Sequence, residues 1–248
     1  MNGIFTHIVI TRFNIKNHEW LVDKLGKEVR TDQWMEHRID LFKKICYPSL
    51  ANQTVTNFKW VIFLDSDTKP IFRQQLEALM SRHSSFYIRY LNGIDEFNER
   101  LKDQIKPLID EGSEYLITTR IDNDDAFRDD YIERIQQSFL PQELVAINFP
   151  KGLQWSIKNN QLFEVYNESN PFISLIEHLK RNSEILTVFH REHRHYFELG
   201  DFPLEQVSSD HLWLQAVHNN NVLNKIVGKE IHQPNFKELF NLKIDELC

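Results

Sequence analysis

Over its first 150 residues the sequence alternates short β-prone runs with stretches of helical period, and no other feature limits the fold as much. β-prone runs cover residues 5–11, 58–64, 86–91, 115–119 and 144–148. Between them apolar residues recur at helical spacing: Ile39, Phe42, Ile45 and Cys46 in 34–50, then Ile71, Leu76, Leu79 and Met80 in the stretch ending at Arg82. The same spacing returns with Phe97, Leu101 and Ile105 in 96–109, and with Tyr131, Ile132 and Ile135 after Asp129 and Asp130, either of which can cap that helix. Strands joined by helix-length connections run parallel. The expected fold is therefore α/β: a mainly parallel, Rossmann-like sheet sandwiched by helices. Run 58–64 is apolar on both faces, as an interior parallel strand must be. Thr68 and Pro70 are expected to open the helix after it, and Pro48 to end or kink the helix before it.

Parallel strands bring their carboxyl ends to one rim, and in open α/β sheets ligands bind there. Three strand ends in this chain carry polar or acidic groups. The first run exits through Thr11, Arg12, Phe13 and Asn14, the second through Asp65 and Asp67, and run 115–119 through Arg120, Asp122, Asp124 and Asp125. Three carboxylates within four residues are costly inside a strand but suit a hard cation just beyond one, with oxygen ligands completed by substrate phosphate. Each turn taken alone could equally be a helix cap. Their convergence on one rim favours a binding site.

Beyond Pro150 the pattern changes. Residues 153–157 and 161–165 read as a hairpin, and 172–180 as a short helix. Residues 187–195 read as a strand whose alternation puts His193 and His195 on one face beside Arg191, with His190 nearby: a positive patch for phosphate or acceptor, with a metal site as the alternative. Ser208 or Ser209 is expected to cap a helix over 210–218 with Asp210 in its first turn. A last strand at 223–227, His232 and a helical tail over 236–247 follow. With no repeat, linker or low-complexity break, residues 1–248 are expected to form one domain, 1–150 a nucleotide-binding half and 151–248 a mixed acceptor half.

Composition narrows the function. Only 7 glycines are present, and neither G-x-G-x-x-G nor G-x-x-x-x-G-K-[ST] occurs, against a Rossmann dehydrogenase or a P-loop NTPase. The net charge of −7 argues against nucleic acid as a partner. Two cysteines, Cys46 and Cys248, make no disulfide framework or zinc knuckle, so a reducing compartment is expected. The first seven residues lack the pattern of a signal peptide, and no apolar run is long enough to span a membrane. A soluble cytoplasmic protein is the expectation, with peripheral membrane contact left open.

At this point the residues resemble a known family. Ile10-Thr-Arg-Phe-Asn14 stands where family 2 glycosyltransferases of the GT-A fold end their first strand. Ser49-Leu-Ala-Asn-Gln-Thr54, followed by Asn57-Phe-Lys-Trp-Val-Ile-Phe-Leu-Asp65, is similar to their S-L-x-x-Q-T and N-F-E-I-I-V-V-D. Thr119-Arg-Ile-Asp-Asn-Asp-Asp125 resembles the T-R-x-D-N-D-D of a bacterial rhamnosyltransferase group, and Trp213-Leu-Gln-Ala-Val-His218 with Asn221 looks like that group too. The resemblance implies a GT-A-like sheet and transfer of a sugar from a nucleotide-diphosphate donor to a hydroxyl acceptor, such as a cell-surface glycan. It implies Mn²⁺ or Mg²⁺ on Asp124, with Asp122 at the ribose or a metal-bound water and His232 completing the metal or diphosphate site, a role for which His190, His193 and His195 compete. It places Asp65 on the nucleotide base and Asp210 as the general base of an inverting reaction. Thr11, Arg12, Asn14 and Arg120 then join Asp65 and Asp122 around the nucleotide-sugar. The chain departs from the family pattern at Ser208-Ser-Asp210, where Glu-Asp is usual, and in a Gly-poor segment before it.

Two other classes use similar residues. A metal-dependent phosphohydrolase or nucleotidyltransferase would also gather acids at strand ends, and would differ in its product. A non-catalytic nucleotide-sugar-binding protein would keep the fold and lose the reaction.

Overall fold

The structure, a computed structural model, describes residues 4–19, 21–23, 25–180, 184–218 and 225–244. Asn221 and Cys248 lie outside the described residues, as do parts of the expected 223–227 strand and 236–247 tail.

Strand β1 (Phe5–Arg12) is buried on both faces between β2 (Lys59–Asp65) and β4 (Tyr115–Arg120), both parallel to it. Strand β3 (Phe86–Leu91) extends the sheet beside β2, also parallel. Helices α1 (Asp32–Leu41), α2 (Tyr47–Ala51) and α3 (Pro70–Met80) carry Ile39, Leu50 and Leu76 into the core on one face of the sheet. Helix α4 (Gly93–Ile105) packs Phe97, Leu101 and Ile105 against the other face. Pro48 neither ends nor breaks its helix. It has no N–H for the carbonyl of Lys44, so the backbone widens into a π-helical stretch at Phe42–Cys46. The Lys44 carbonyl instead accepts from the Lys243 N–H at 2.8 Å, which ties the end of the described chain to this helix. Nor does Thr68 cap α3. Its hydroxyl donates to the Asp65 carbonyl at 2.6 Å and accepts from Asn14 Nδ2 at 2.9 Å. Asp130 lies at the N-cap of α5 (Tyr131–Gln137) without a side-chain cap bond, because Arg128 and Arg134 take its carboxylate.

The short strand β5 (Ala126–Phe127) follows the acidic turn, and β6 (Leu144–Asn148) follows α5. Strands β7 (Lys151–Ser156) and β8 (Gln161–Tyr166) form the expected hairpin. Residues 174–178, expected within a helix, form strand β9 (Ser174–His178), antiparallel to both β4 and β6 and buried between them. Residues 187–195 are turns leading into the short helix α6 (His195–Glu198), not a strand. Residues 213–217 are strand β11 (Trp213–Val217), not helix, because β5 and β7 on its two sides take its backbone bonds. With β10 (Leu204–Gln206) and β12 (Lys229–Ile231) there are two sheets among the described residues, ordered β10-β6-β9-β4-β1-β2-β3 and β12-β8-β7-β11-β5. Residues 225–227 are not strand, and α7 (Phe236–Leu239) is the helical part of the tail. The first sheet is mainly parallel with helices on both faces, as the sequence predicts.

Gly152 in β7 has no room for a side chain, since a Cβ there would fall 2.1 Å from the Trp213 ring. That close approach lets Trp213 lie flat on Phe172, ring centroids 4.9 Å apart, with its Nε1 donating to the Phe149 carbonyl at 2.7 Å.

One buried group gives the fold an acid limit. His7 in β1 is 1% exposed, shares a 2.8 Å hydrogen bond with Thr119 Oγ1, and is pushed by burial from 6.5 down to about 3. Between those values the unfolded chain binds the proton and the folded chain does not. Stability from this group is therefore complete above about pH 6.5 and is lost as pH falls toward 3. His7→Gln is expected to flatten the fall in stability between about pH 6 and 4 by roughly 1 kcal/mol per pH unit. Denaturant midpoints at several pH values measure it; an unchanged slope would contradict it.

Candidate active site

The acidic turn after β4 is pinned from below. Ser49 Oγ accepts the Phe127 N–H at 3.2 Å. Gln53 donates to the carbonyls of Ser49 and Arg128 and accepts the Ile132 N–H at 3.0 Å. The Ser49–Thr54 motif thus acts through position: it fixes the exit of the turn and leaves the turn's own side chains to face outward or pair.

The three carboxylates have different fates. Asp122 is 40% exposed and stands 3.6 Å from Arg120. Asp124 is buried, with Oδ2 2.6 Å from Arg38 NH1 and 2.9 Å from His218 Nε2; these partners hold its carboxyl well below the usual range against the opposing effect of burial. Asp125 is fully buried. Desolvation, with Asp124 and Asp122 nearby, raises its pKa well above the usual carboxyl value, and its Oδ1 accepts the Ala216 N–H at 2.9 Å, joining the turn to β11. Asn123 completes the frame, donating to the Phe13 carbonyl at 2.6 Å and accepting from Arg38 at 3.0 Å. Arg38 itself lies over the Trp34 ring, 5.0 Å from its centroid.

Above this turn opens a cavity of about 430 Å³. Its lining includes Arg12, Arg120, Asp122, Asp124 and His193 together with Ile15, Val29, Arg30 and Ile94. Gln154, Gln215, Trp213 and Val227 come from the second sheet and the 225–227 segment, which Gln154 holds through the Lys225 carbonyl and the Val227 N–H.

Of the expected nucleotide-sugar residues, Arg12, Asn14, Arg120 and Asp122 line this cavity. Thr11 does not: it is fully buried and its hydroxyl accepts from Trp60 Nε1 at 3.0 Å. Asn14 borders the cavity, yet its amide is spent on Thr68 and on the Asp65 N–H. Asp65 is fully buried below the rim. Its oxygens accept the backbone N–H groups of Lys16 at 2.9 Å, Gly93 at 3.1 Å and Asp67 at 3.3 Å, so it fastens two rim loops together. Above it, Arg30 takes the left-handed conformation (φ 67°) and reaches the Asn14 carbonyl and Asp67. Backbone strain of this kind persists where the surroundings fix it, often at a ligand site.

Asp210 stands on an exposed bend before β11, near Arg128, outside the cavity lining. The helix that was to carry it is absent. His232 is exposed after β12, also outside the lining. The histidine on the acidic turn is His218, with His37 edge-on at 5.3 Å, its pKa lowered by burial and then by His218. Among the described residues no three His, Cys, Asp or Glu side chains form a metal-holding group. Asp122 and Asp124 both line the cavity, but the donor set does not fit a resident Mn²⁺ or Mg²⁺: Asp124 is already paired with Arg38 and His218, and a dication there would meet the buried Arg38 guanidinium.

A mainly parallel α/β sheet with a cavity at its carboxyl rim, lined by guanidiniums, a carboxylate and apolar side chains, places the chain in the class of open α/β proteins whose ligand sites lie at that edge. Within that class the chain belongs to the family described as "Putative rhamnosyl transferase", whose model matches residues 5–230. No curated protein sequence matches the chain. Among solved structures it is similar to S. aureus TarS 1–349 in complex with UDP, with 14% identity, a TM-score of 0.46, and 86% of this chain and 60% of that one covered. It is also similar to a "putative nucleotide-diphospho-sugar transferase" from Desulfovibrio desulfuricans, with 10% identity, a TM-score of 0.39, and 85% and 82% covered. The chain thus spans 60% of the TarS fragment's length. No helix among the described residues is long and apolar enough to cross a membrane.

Proposed function

We propose that the chain transfers a sugar, with rhamnose as the leading candidate, from a nucleoside-diphosphate donor to a hydroxyl acceptor in cell-surface glycan synthesis. The supporting observation is one cavity that joins an apolar slot, a guanidinium pair and a half-exposed carboxylate in a member of the rhamnosyl transferase family. The slot between Ile15, Val29 and Ile94 suits a nucleobase, with Asn17 and Arg30 at its border. Asp122, an acceptor-only group, suits hydroxyls of the ribose or sugar. Gln154 and Gln215, bonded to each other at 2.7 Å, face the cavity from the other sheet and suit the acceptor side.

In the reaction the bond from the anomeric carbon to the phosphate oxygen breaks and a bond to the acceptor oxygen forms. The nucleoside diphosphate leaves, and the acceptor proton passes to a base within about 3 Å. Asp210 stands outside the lining, so Asp210→Asn is expected to keep turnover within about two-fold of wild type. A loss near the ~100-fold typical of a removed general base would put Asp210 in the reaction. The activity itself is tested by incubating the protein with UDP-, GDP- and dTDP-sugars and glycan acceptors. Acceptor-dependent release of one nucleoside diphosphate, with the sugar found on the acceptor, is expected. Release without an acceptor product would favour a phosphohydrolase, and a new nucleotide–sugar bond a nucleotidyltransferase.

A further inference from the structure

We infer that Arg12 and Arg120 form a guanidinium clamp that holds the donor's diphosphate directly, without a protein-bound metal ion. The inference rests on the donor reading and names the part of the donor held, and by what.

The pair follows from strand register. Ile10 of β1 lies opposite Arg120 of β4, and Arg12 is two residues beyond Ile10, so both arginines leave the sheet on one face at its carboxyl edge. Phe189 lies against both: the Arg12 guanidinium carbon is 5.1 Å from its ring centroid and that of Arg120 is 5.4 Å. Phe97 meets Arg12 at 5.8 Å. These contacts set both guanidiniums against one aromatic ring, and both residues line the cavity.

Two like charges held together repel each other, and Arg12 carries the mark of it: burial first, then Arg120, lowers its pKa to about 10. It remains a cation at neutral pH. Nearby negative charge comes from Asp122 and Glu192. Arg120 is 8% exposed, meets Asp122 only at 3.6 Å, and its buried Nε has no hydrogen-bond partner among the described residues. A buried donor without an acceptor is costly unless a ligand supplies one. A phosphate does so, and arginine's planar fork matches its oxygens.

The wall that brings Phe189 and His193 here is itself built for the purpose. It starts at Thr187, in the left-handed region at φ 67°. Glu177 accepts the N–H groups of Leu186 and Thr187, Thr118 Oγ1 accepts that of Val188 at 2.8 Å, and Ser169 donates to the His193 carbonyl. Burial, with Arg120, Arg194 and Arg12 beside it, lowers His193 to about 3, so its ring is neutral and can bond phosphate without adding to the repulsion. At Asp124, by contrast, the carboxylate already faces Arg38 and His218.

The clamp is tested by calorimetric titration of inorganic pyrophosphate, then UDP, GDP and dTDP, each in EDTA and in Mn²⁺. The proteins are wild type, Arg120→Gln, Arg120→Lys and Asp122→Asn, with circular dichroism as the folding control. Wild type is expected to bind pyrophosphate and one nucleoside diphosphate in EDTA. Arg120→Gln should weaken both by at least ~10-fold, and Arg120→Lys, which keeps the charge and loses the fork, by less. Asp122→Asn should bind pyrophosphate more tightly, since it removes a negative charge beside the anion; this readout needs no change to an arginine. Binding that occurs only with Mn²⁺, or is unaffected by Arg120→Gln, or is lost in Asp122→Asn, would overturn the clamp. Pyrophosphate binding that depends on Arg120, in a protein that binds no nucleoside diphosphate, would keep the clamp and sink the donor reading.

Discussion

Asp124→Ala is expected to lower folding stability by about 3–5 kcal/mol, the usual cost of leaving one member of a buried ion pair without its partner. The whole arrangement is out of water: the side chains of Arg38, Asp124 and His218 are 10%, 4% and 6% exposed. Arg38 cannot swing out to solvent without leaving Trp34 and Asn123. For a chain of this size the loss corresponds to a fall in melting temperature of roughly 6–20 °C. Arg38→Met combined with Asp124→Leu removes both charges and should recover much of it, because the cost lies in the uncompensated charge. Denaturant unfolding of wild type, both single variants and the double variant decides it. Single-variant losses that simply add in the double variant would mean that the pair is not coupled.

Asp122→Asn is expected to do the reverse: little change in stability and a loss of about 10–100-fold in kcat/KM, the worth of one or two charge-assisted hydrogen bonds to a ligand hydroxyl. Asp122 is the one carboxylate of the acidic turn that is 40% exposed at the cavity wall. Its long contact with Arg120 contributes little to folding. Steady-state kinetics beside a melting curve separate the two effects. A variant with full activity would remove Asp122 from the site.

The first half of the molecule was legible because its signals are local. A run buried on both faces reads as an interior strand, and Phe97, Leu101 and Ile105 at helical spacing read as one helix face. The rim was legible for the same reason: Arg12, Arg120 and Asp122 follow directly from where β1 and β4 end. Asp65 and Thr11 stand at strand ends as expected, but their polar atoms serve the loops and Trp60, which no spacing in the sequence reveals.

The second half was misread where partners decide the structure. Residues 174–178 and 213–217 are short, and runs of five residues suit a buried strand or a helix equally until their neighbours are known. Reading 210–218 as a helix put Asp210 at a helix start and hid His218, which the strand carries back to Asp124. Arg38 left a signal that could have been followed: it is a charged residue between Met35 and Ile39 on the buried face of α1, and a buried arginine needs an acid. Pro48 marks a second such place, because its effect is a freed carbonyl nearly two hundred residues away from the N–H that satisfies it.

The central claim, that the cavity holds a nucleoside-diphosphate donor, is tested most directly by the melting temperature of the wild-type protein with UDP, GDP and dTDP, each in EDTA and in Mn²⁺. At about 100 times its dissociation constant, a ligand specific for the folded state adds roughly 2.7 kcal/mol, or about 5–11 °C for a chain of this size. The account predicts a shift of that order with one nucleotide, present in EDTA and reduced to about half or less in Arg120→Gln. The same melting curve with every nucleotide, with and without metal, would contradict it.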